Sequence, residues 1–375
     1  MLPETKPELT FQEGVCNACI NFENRKNINW DEKKKELINI LDFYKNQSKN
    51  KWDCIIPVSG GKDSTYQVVT ALEFGMNPLC VTSQTCDLSK IGRENLDNIR
   101  ELGVDLIEIR PDAKTRYKLN KIGLFEIGDI AWPEHVGIFT IPVRIAVNFK
   151  IPLILWGENP QNEFGGPAGE AKKSFTDRKW LEEFGGLIGM RVSDLTSYSD
   201  IDKKKLEIYT YPTQEEIKKV KVVGIYLGYY LPWDGYKNTI IAKKNGFKTF
   251  EERVEGSLVD YENLDNHQHG IHDYLKFIKF GYGRLTDQAS LHIRRGYITR
   301  EKAKEYILKY DGKFPSTYLK KPLEEILKPL GVSVAEFVKC CDRFTNKNLF
   351  LKDNEGNLLK DEFGSLTKIN YDNFE

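Results

Sequence analysis

The chain has 375 residues, with 55 Lys and Arg against 55 Asp and Glu, a formal net charge of zero, and 40% hydrophobic and 12% aromatic residues. That balance excludes a disordered, highly charged chain, and it lacks the basic excess of a large nucleic-acid footprint, so no nucleic-acid partner is expected. The length fits about two packed units.

The first residues, Met1-Leu2-Pro3-Glu4-Thr5, have neither the basic nor the apolar region of a signal peptide. The most apolar stretch, residues 141–156, is interrupted by Arg144, Asn148 and Lys150. No membrane insertion is therefore expected, and the expected location is cytoplasmic. There the seven cysteines read as metal ligands, core residues or reactive thiols, not as disulfides. Cys16 and Cys19 form a Cys-x-x-Cys pair close to the N-terminus.

In chain order, Leu37, Ile38, Leu41 and Tyr44 recur at helical spacing and predict a surface helix over residues 31–44. An apolar run over 53–58 predicts a strand, followed by the turn Ser59-Gly60-Gly61-Lys62-Asp63-Ser64 and a helix over 65–74. A strand at 78–82, a helix at 93–102 and a strand at 105–109 continue the alternation. A helix over 142–149 precedes the continuous apolar strand 152–156, which belongs in the middle of a parallel sheet. From about residue 200 the chain becomes Tyr- and Lys-rich and mostly helical, with amphipathic segments at 300–310, 319–330 and 334–344. Cys340 and Cys341 in the last of these read as one core residue and one spectator. The expected fold is α/β, a doubly wound parallel sheet with a C-terminal helical module. Its units are a Cys-x-x-Cys segment and helix at 1–50, the α/β domain at 51–200 and the helical module at 201–375.

Ligands of a parallel sheet bind at the carboxyl ends of its strands, where residues 59–64 lie just before a helix. Gly60 and Gly61 allow close approach of backbone N–H groups to an anion, Ser59 and Ser64 add hydroxyls, and Lys62 adds a positive charge. Asp63 repels a bare phosphate, so it orients the loop or helps to hold Mg²⁺. The Walker A pattern fails because Ile56 and Asp63 stand where it needs glycine and Ser or Thr, and the dinucleotide pattern lacks its third glycine. What remains resembles the PP-loop of the ATP pyrophosphatases. The second strand end, Gly157-Glu158-Asn159-Pro160-Gln161-Asn162-Glu163, is expected beside the first, with Glu158, Asn159 and Glu163 facing the phosphates or the reacting group.

Several longer motifs carry a more specific resemblance: Gly14-Val15-Cys16-Asn17-Ala18-Cys19, Pro57 to Ser64, Ile91-Gly92-Arg93-Glu94-Asn95-Leu96, Trp132-Pro133-Glu134-His135-Val136-Gly137-Ile138, Trp156-Gly157-Glu158-Asn159, and the stretch from Ile278 through Arg284 to Glu301. Together they look like the N-acetyl sugar amidotransferases of lipopolysaccharide and flagellin-sugar pathways, over nearly the whole chain. The resemblance implies a PP-loop ATP pyrophosphatase fold. It also implies an enzyme that adenylates an acetamido oxygen, releases pyrophosphate and lets ammonia convert the group to an acetamidino group. The implied catalytic residues are Lys62, Asp63, Glu158 and Glu163, with ATP held by Ser59, Gly60, Gly61, Lys62, Asp63, Ser64, Gly157 and Asn159. Asp63 is the candidate Mg²⁺ ligand, and His135 and Arg144 are candidate contacts to the N-acetyl sugar.

Family members carry a further Cys-x-x-Cys upstream of Leu2-Pro3-Glu4-Thr5, which with Cys16 and Cys19 makes a four-cysteine Zn²⁺ site; this sequence starts at that point and holds the half-site. None of the seven cysteines sits in a glycine-flanked nucleophile elbow, so ammonia is expected from a separate glutaminase subunit. His267, His269 and His272 read as a solvated or helix-capping cluster. Two other readings remain: a PP-loop tRNA-modifying enzyme, and a non-catalytic ATP-binding protein.

Overall fold

Cys54, Ile55 and Ile56 are each wholly buried. Successive side chains of a strand point to opposite faces, so such a strand must be covered on both sides. The computed structural model, which describes residues 2–7, 9–48, 52–158, 190–198 and 201–369, supplies that cover. Five parallel strands, β1 (Cys54–Pro57), β2 (Pro78–Ser83), β3 (Asp105–Ile109), β4 (Leu153–Trp156) and β5 (Val223–Tyr226), form one sheet in the order β3-β2-β1-β4-β5.

The first helices are α1 (Asn17–Asn24), α2 (Trp30–Gln47), α3 (Lys62–Glu73), α4 (Lys90–Glu101), α5 (Ala113–Ile122) and α6 (Trp132–Phe149). Cys54 and Ile56 share a core with Leu37 and Leu41 of α2, Val68 and Ala71 of α3, and Leu96 and Ile99 of α4. On the other face Ile55 packs with Ile141, Val143 and Ala146 of α6. The fold is the expected doubly wound α/β sheet. No described helix is long and apolar enough to cross a membrane.

Three expectations shift. The helix expected to begin at Pro142 begins at Trp132, with Pro133 in its first turn and Pro142 inside it. β5 lies past residue 200, so the sheet reaches into the segment expected to be helical. Val223–Tyr226 contains Gly224 and an exposed Val223, too weak an apolar run to read as a strand. The segment 319–330 is helical only at Leu323–Leu327 and Lys328–Leu330, because Pro322 disfavours helix before it and Leu319 and Lys320 turn the chain at φ 48° and 66°.

The rest of the C-terminal half is helical as expected, with α7 (Gly235–Lys244), α8 (His269–Phe280), α9 (Arg284–Arg294), α10 (Arg300–Tyr310) and α11 (Val334–Phe344). Its main core gathers Leu275, Phe277 and Ile278 of α8 with Phe337 of α11 and Phe350. Cys340 and Cys341 are both buried there, so neither is a spectator.

Candidate functional site

The chain winds outward from β1 through β2 to β3, then returns to the other side of β1 with β4. The boundary between β1 and β4 is where the winding reverses, and the crevice beyond such a boundary is the natural ligand site. Residues 59–64 leave β1 there, and Gly157 and Glu158 leave β4. Both line a cleft of about 1430 Å³ at the sheet ends, and the loop and Glu158 also line a second cleft of about 800 Å³.

The loop is shaped by two glycines in different ways. Gly60 has φ +84°, and a Cβ there would lie 2.7 Å from the backbone nitrogen of Leu96. Gly61 is extended and caps α3. The first helical bond runs from Thr65 N–H to the Gly61 carbonyl at 3.0 Å, which leaves the amides of Lys62, Asp63 and Ser64 without a helical acceptor. Three such amides at a helix N-terminus form an anion site. Ser59 Oγ accepts from Gly61 N–H at 3.3 Å, whereas the Ser64 hydroxyl donates to the Gly61 carbonyl at 3.0 Å and so serves the loop itself.

Lys62 Nζ lies 2.6 Å from Asp63 Oδ2 and 3.3 Å from Glu262 Oε1. Burial opposes the charged ammonium, but the carboxylates of Asp63, Glu262 and Glu158 override it and raise its pKa. Asn238 Nδ2 donates to the other Asp63 oxygen at 3.0 Å. Gln288 Nε2 donates to Glu262 at 2.6 Å; despite burial, Lys62, Gln288 and the Arg284 charge keep the Glu262 carboxyl below its usual range. Arg284 lines the loop cleft and is fixed by Asp273 at 3.3 Å, the pairing that chiefly holds its charge.

Glu262 and Asn238 are contributions that the motifs did not indicate. Each is a single polar residue in an unremarked stretch, and only the tertiary fold brings it to the loop. Arg284 and Gln288 lay within a motif without an assigned role. The Ile91 to Leu96 motif seats this distant segment. Asn95 exchanges two hydrogen bonds with the Lys248 backbone, at 2.9 and 2.8 Å, and Ser89 Oγ donates to the Leu264 carbonyl. A Cβ on Gly92 would stand 2.5 Å from Asp265 Cα, so the helix and the segment touch backbone to backbone.

His135 lines the larger cleft. Its Nδ1 is 3.4 Å from Asp129 Oδ2, while His272 Nδ1 is 2.8 Å from Asp129 Oδ1. Burial lowers the His135 pKa, but Asp129 outweighs it and the net shift is upward. Arg144 is not among the residues lining the cleft. Its guanidinium pairs with Glu207 and donates to the Thr210 carbonyl at 2.6 Å. Nine residues make about two and a half helical turns, so positions 135 and 144 fall on opposite sides of α6. Asn159 and Glu163 lie outside the described residues.

The Cys16 and Cys19 sulfurs are 3.4 Å apart. Sharing a proton lowers the pKa of Cys16 and raises that of Cys19. Among the described residues, no group of three or more His, Cys, Asp or Glu side chains could hold a metal ion. Burial and the Glu134 charge push the Cys86 thiol up, which makes it a poor nucleophile. The three neighbouring histidines meet separate groups: His267 the Asp87 carbonyl at 3.1 Å, His269 the Asp265 carboxylate at 3.1 Å and His272 Asp129. They are partly buried anchors around the start of α8 and not a solvated cluster.

The arrangement can bind phosphates at the loop and present a polar group to them from the larger cleft. Residues 244–363 match the family described as LPS biosynthesis protein WbpG-like, C-terminal domain. No curated protein matches the chain. Among solved structures, the NMN synthetase from Francisella tularensis is similar at 12% identity and a TM-score of 0.27, with 52% of this chain and 92% of that chain covered.

Proposed function

We propose that this chain is an ATP-dependent amidotransferase of bacterial surface-glycan biosynthesis, which converts an acetamido group of a sugar to an acetamidino group. One observation carries the reading. The phosphate loop shares its cleft with Glu262, Asp265 and Arg284, all from the segment that matches the LPS biosynthesis domain. A nucleotide loop and a glycan-pathway segment thus face one volume.

In this reading the loop amides and Lys62 hold the phosphates, and Arg284 adds a second fixed positive charge. Asp63 and Glu158 line the same cleft and suit Mg²⁺, which takes one or two carboxylates together with phosphate oxygens. Mg²⁺ would supply charge neutralisation on the departing pyrophosphate. The acetamido oxygen forms a bond to the α-phosphorus as the bond to pyrophosphate breaks. Ammonia then forms a C–N bond, and the C–O bond breaks to release AMP carrying the former amide oxygen. The product is the amidine. Binding the reactants in fixed register is the main contribution of the protein. Ammonia comes from a separate glutaminase subunit, and free ammonium replaces it.

The test is incubation with ATP, Mg²⁺, ammonium and a panel of acetamido sugars, following AMP, pyrophosphate and amidine. Sugar-dependent formation of all three is expected. Bound ATP without sugar-dependent cleavage would overturn the reading in favour of a non-catalytic ATP-binding protein, and cleavage stimulated by tRNA in place of sugar would favour the tRNA-modifying alternative.

A further inference from the structure

Three open volumes meet at Asp63 and Glu158. The loop cleft and the cleft at the sheet ends are two of them, and a third of about 470 Å³ opens between the starts of α7 and the body of α9. The proposed reaction brings three reactants to one carbon. ATP takes the loop cleft and the sugar takes the cleft at the sheet ends, so the third volume has no occupant yet.

Its charge count matches that of the loop cleft, four carboxylates to two cations, but it lacks Ser59, Gly60, Gly61 and Ser64 of the loop and has more aromatic walls. Four carboxylates, Asp63, Glu158, Asp234 and Glu262, outnumber the two cations Lys62 and Arg295. Both cations face these carboxylates, Lys62 as described above and Arg295 Nε at 3.4 Å from Asp234 Oδ2. Aromatic rings of Trp233, Tyr236, Tyr261 and Tyr297 complete the walls. Carboxylates and aromatic faces, without the loop amides that cradle an anion, favour a small cation. Tyr236 and Tyr297 are 44% and 39% exposed, with ring centroids 4.8 Å apart, and mark the solvent end. The buried Lys62 marks the inner end.

We infer that this vestibule admits ammonium from solvent and delivers ammonia to the activated carbon. The inference rests on the amidotransferase reading. Ammonium must lose a proton before its nitrogen lone pair can form the C–N bond. His292 lines the vestibule and can accept that proton at a ring nitrogen, then pass it to solvent through the mouth. Burial lowers the His292 pKa, which favours the neutral imidazole with a free lone pair. The charged groups that act on it are Glu262, Asp234, Arg295 and Lys62. Its Nε2 stands 3.3 Å from the Tyr261 hydroxyl.

The experiment measures the KM for ammonium in amidine formation with ATP and sugar saturating. Asp234→Asn removes a charge yet keeps the side-chain oxygen that accepts from Tyr236 and Lys237 N–H at the start of α7. Leu291→Trp narrows the passage by bulk. Each is expected to raise the ammonium KM about tenfold while leaving the KM values for ATP and sugar unchanged. His292→Gln is expected to lower kcat most where ammonium is fully protonated. An unchanged ammonium KM in both Asp234→Asn and Leu291→Trp, with wild-type protein making amidine, would overturn the vestibule alone. No amidine from wild-type protein at any ammonium concentration would overturn the amidotransferase reading and the vestibule with it.

Discussion

Lys62 Nζ lies 3.3 Å from Glu262 Oε1, which ties the phosphate loop to a carboxylate far along the chain. With Asp63 at 2.6 Å, this places a nearly buried ammonium between two carboxylates. Removing the ammonium alone leaves those carboxylates facing each other, which costs about 3 kcal/mol. Lys62→Ala is therefore expected to lower stability and to slow pyrophosphate release about 100-fold or more. Adding Glu262→Gln to Lys62→Ala should recover much of the stability and none of the turnover. Urea unfolding and a pyrophosphate assay on the single and double variants check both halves, and recovered turnover in the double variant would show that Lys62 does not act on the phosphates.

Gly60 and Gly61 should respond differently to the same substitution. At Gly60 a Cβ meets Leu96 backbone at 2.7 Å under φ +84°, so neither the residue nor its neighbour can yield cheaply. At Gly61 φ is −68° and the nearest atom is the Ser59 hydroxyl at 3.3 Å, which can rotate away. Gly60→Ala is expected to lose about 2 kcal/mol or more and to weaken nucleotide binding strongly. Gly61→Ala should keep the fold, with a modest loss of affinity. Thermal unfolding and calorimetric ATP titration of the two proteins separate these outcomes.

The β1, loop and α3 unit was legible because a short apolar run, two glycines and a lysine leave little freedom in a parallel sheet. β2 and β3 were equally clear for the same reason of short apolar runs between turns. β5 was not, since its partner β4 supplies most of its reason to be extended. Glu262 and Asn238 were invisible because a lone Glu or Asn in a polar stretch has no pattern, and its distance from Asp63 or Lys62 is set only by packing. Arg144 was misplaced for a definable reason. With the helix expected to start at Pro142, positions 135 and 144 had no common helical phase; the continuous α6 puts them on opposite sides.

That phase makes its own prediction. Arg144 pairs with Glu207, which is 71% exposed, so the pair is worth about 1 kcal/mol or less. Arg144→Ala should leave the sugar KM unchanged and shift stability only within that range. His135→Ala, at the cleft, should raise the sugar KM about tenfold or more, in line with losing a polar contact. Kinetics on the two variants, run side by side, decide whether the cleft at the sheet ends is where the sugar binds.

A final prediction concerns acid. Asp287 of α9 is buried between Lys6, at 3.3 Å, and Lys276, and joins the N-terminal segment to the C-terminal helices. Burial alone would raise its pKa, but the two ammonium groups pull it down to about 2. The folded value lies below the unfolded value of about 4, so the native state holds fewer protons than the unfolded chain between them. The resulting stability, about 2 kcal/mol, is fully present above about pH 4 and is lost as the pH falls toward 2. Asp287→Asn should therefore be less stable than wild-type protein by at least that amount near neutrality, since it also leaves Lys6 and Lys276 without their shared carboxylate. The gap should narrow as the pH is lowered from about 5 to 2.5, because protonation removes the same charge from the wild-type protein. Urea unfolding across that range measures the gap directly, and a gap that stays constant would mean that the charge of Asp287 is not what holds the two segments together.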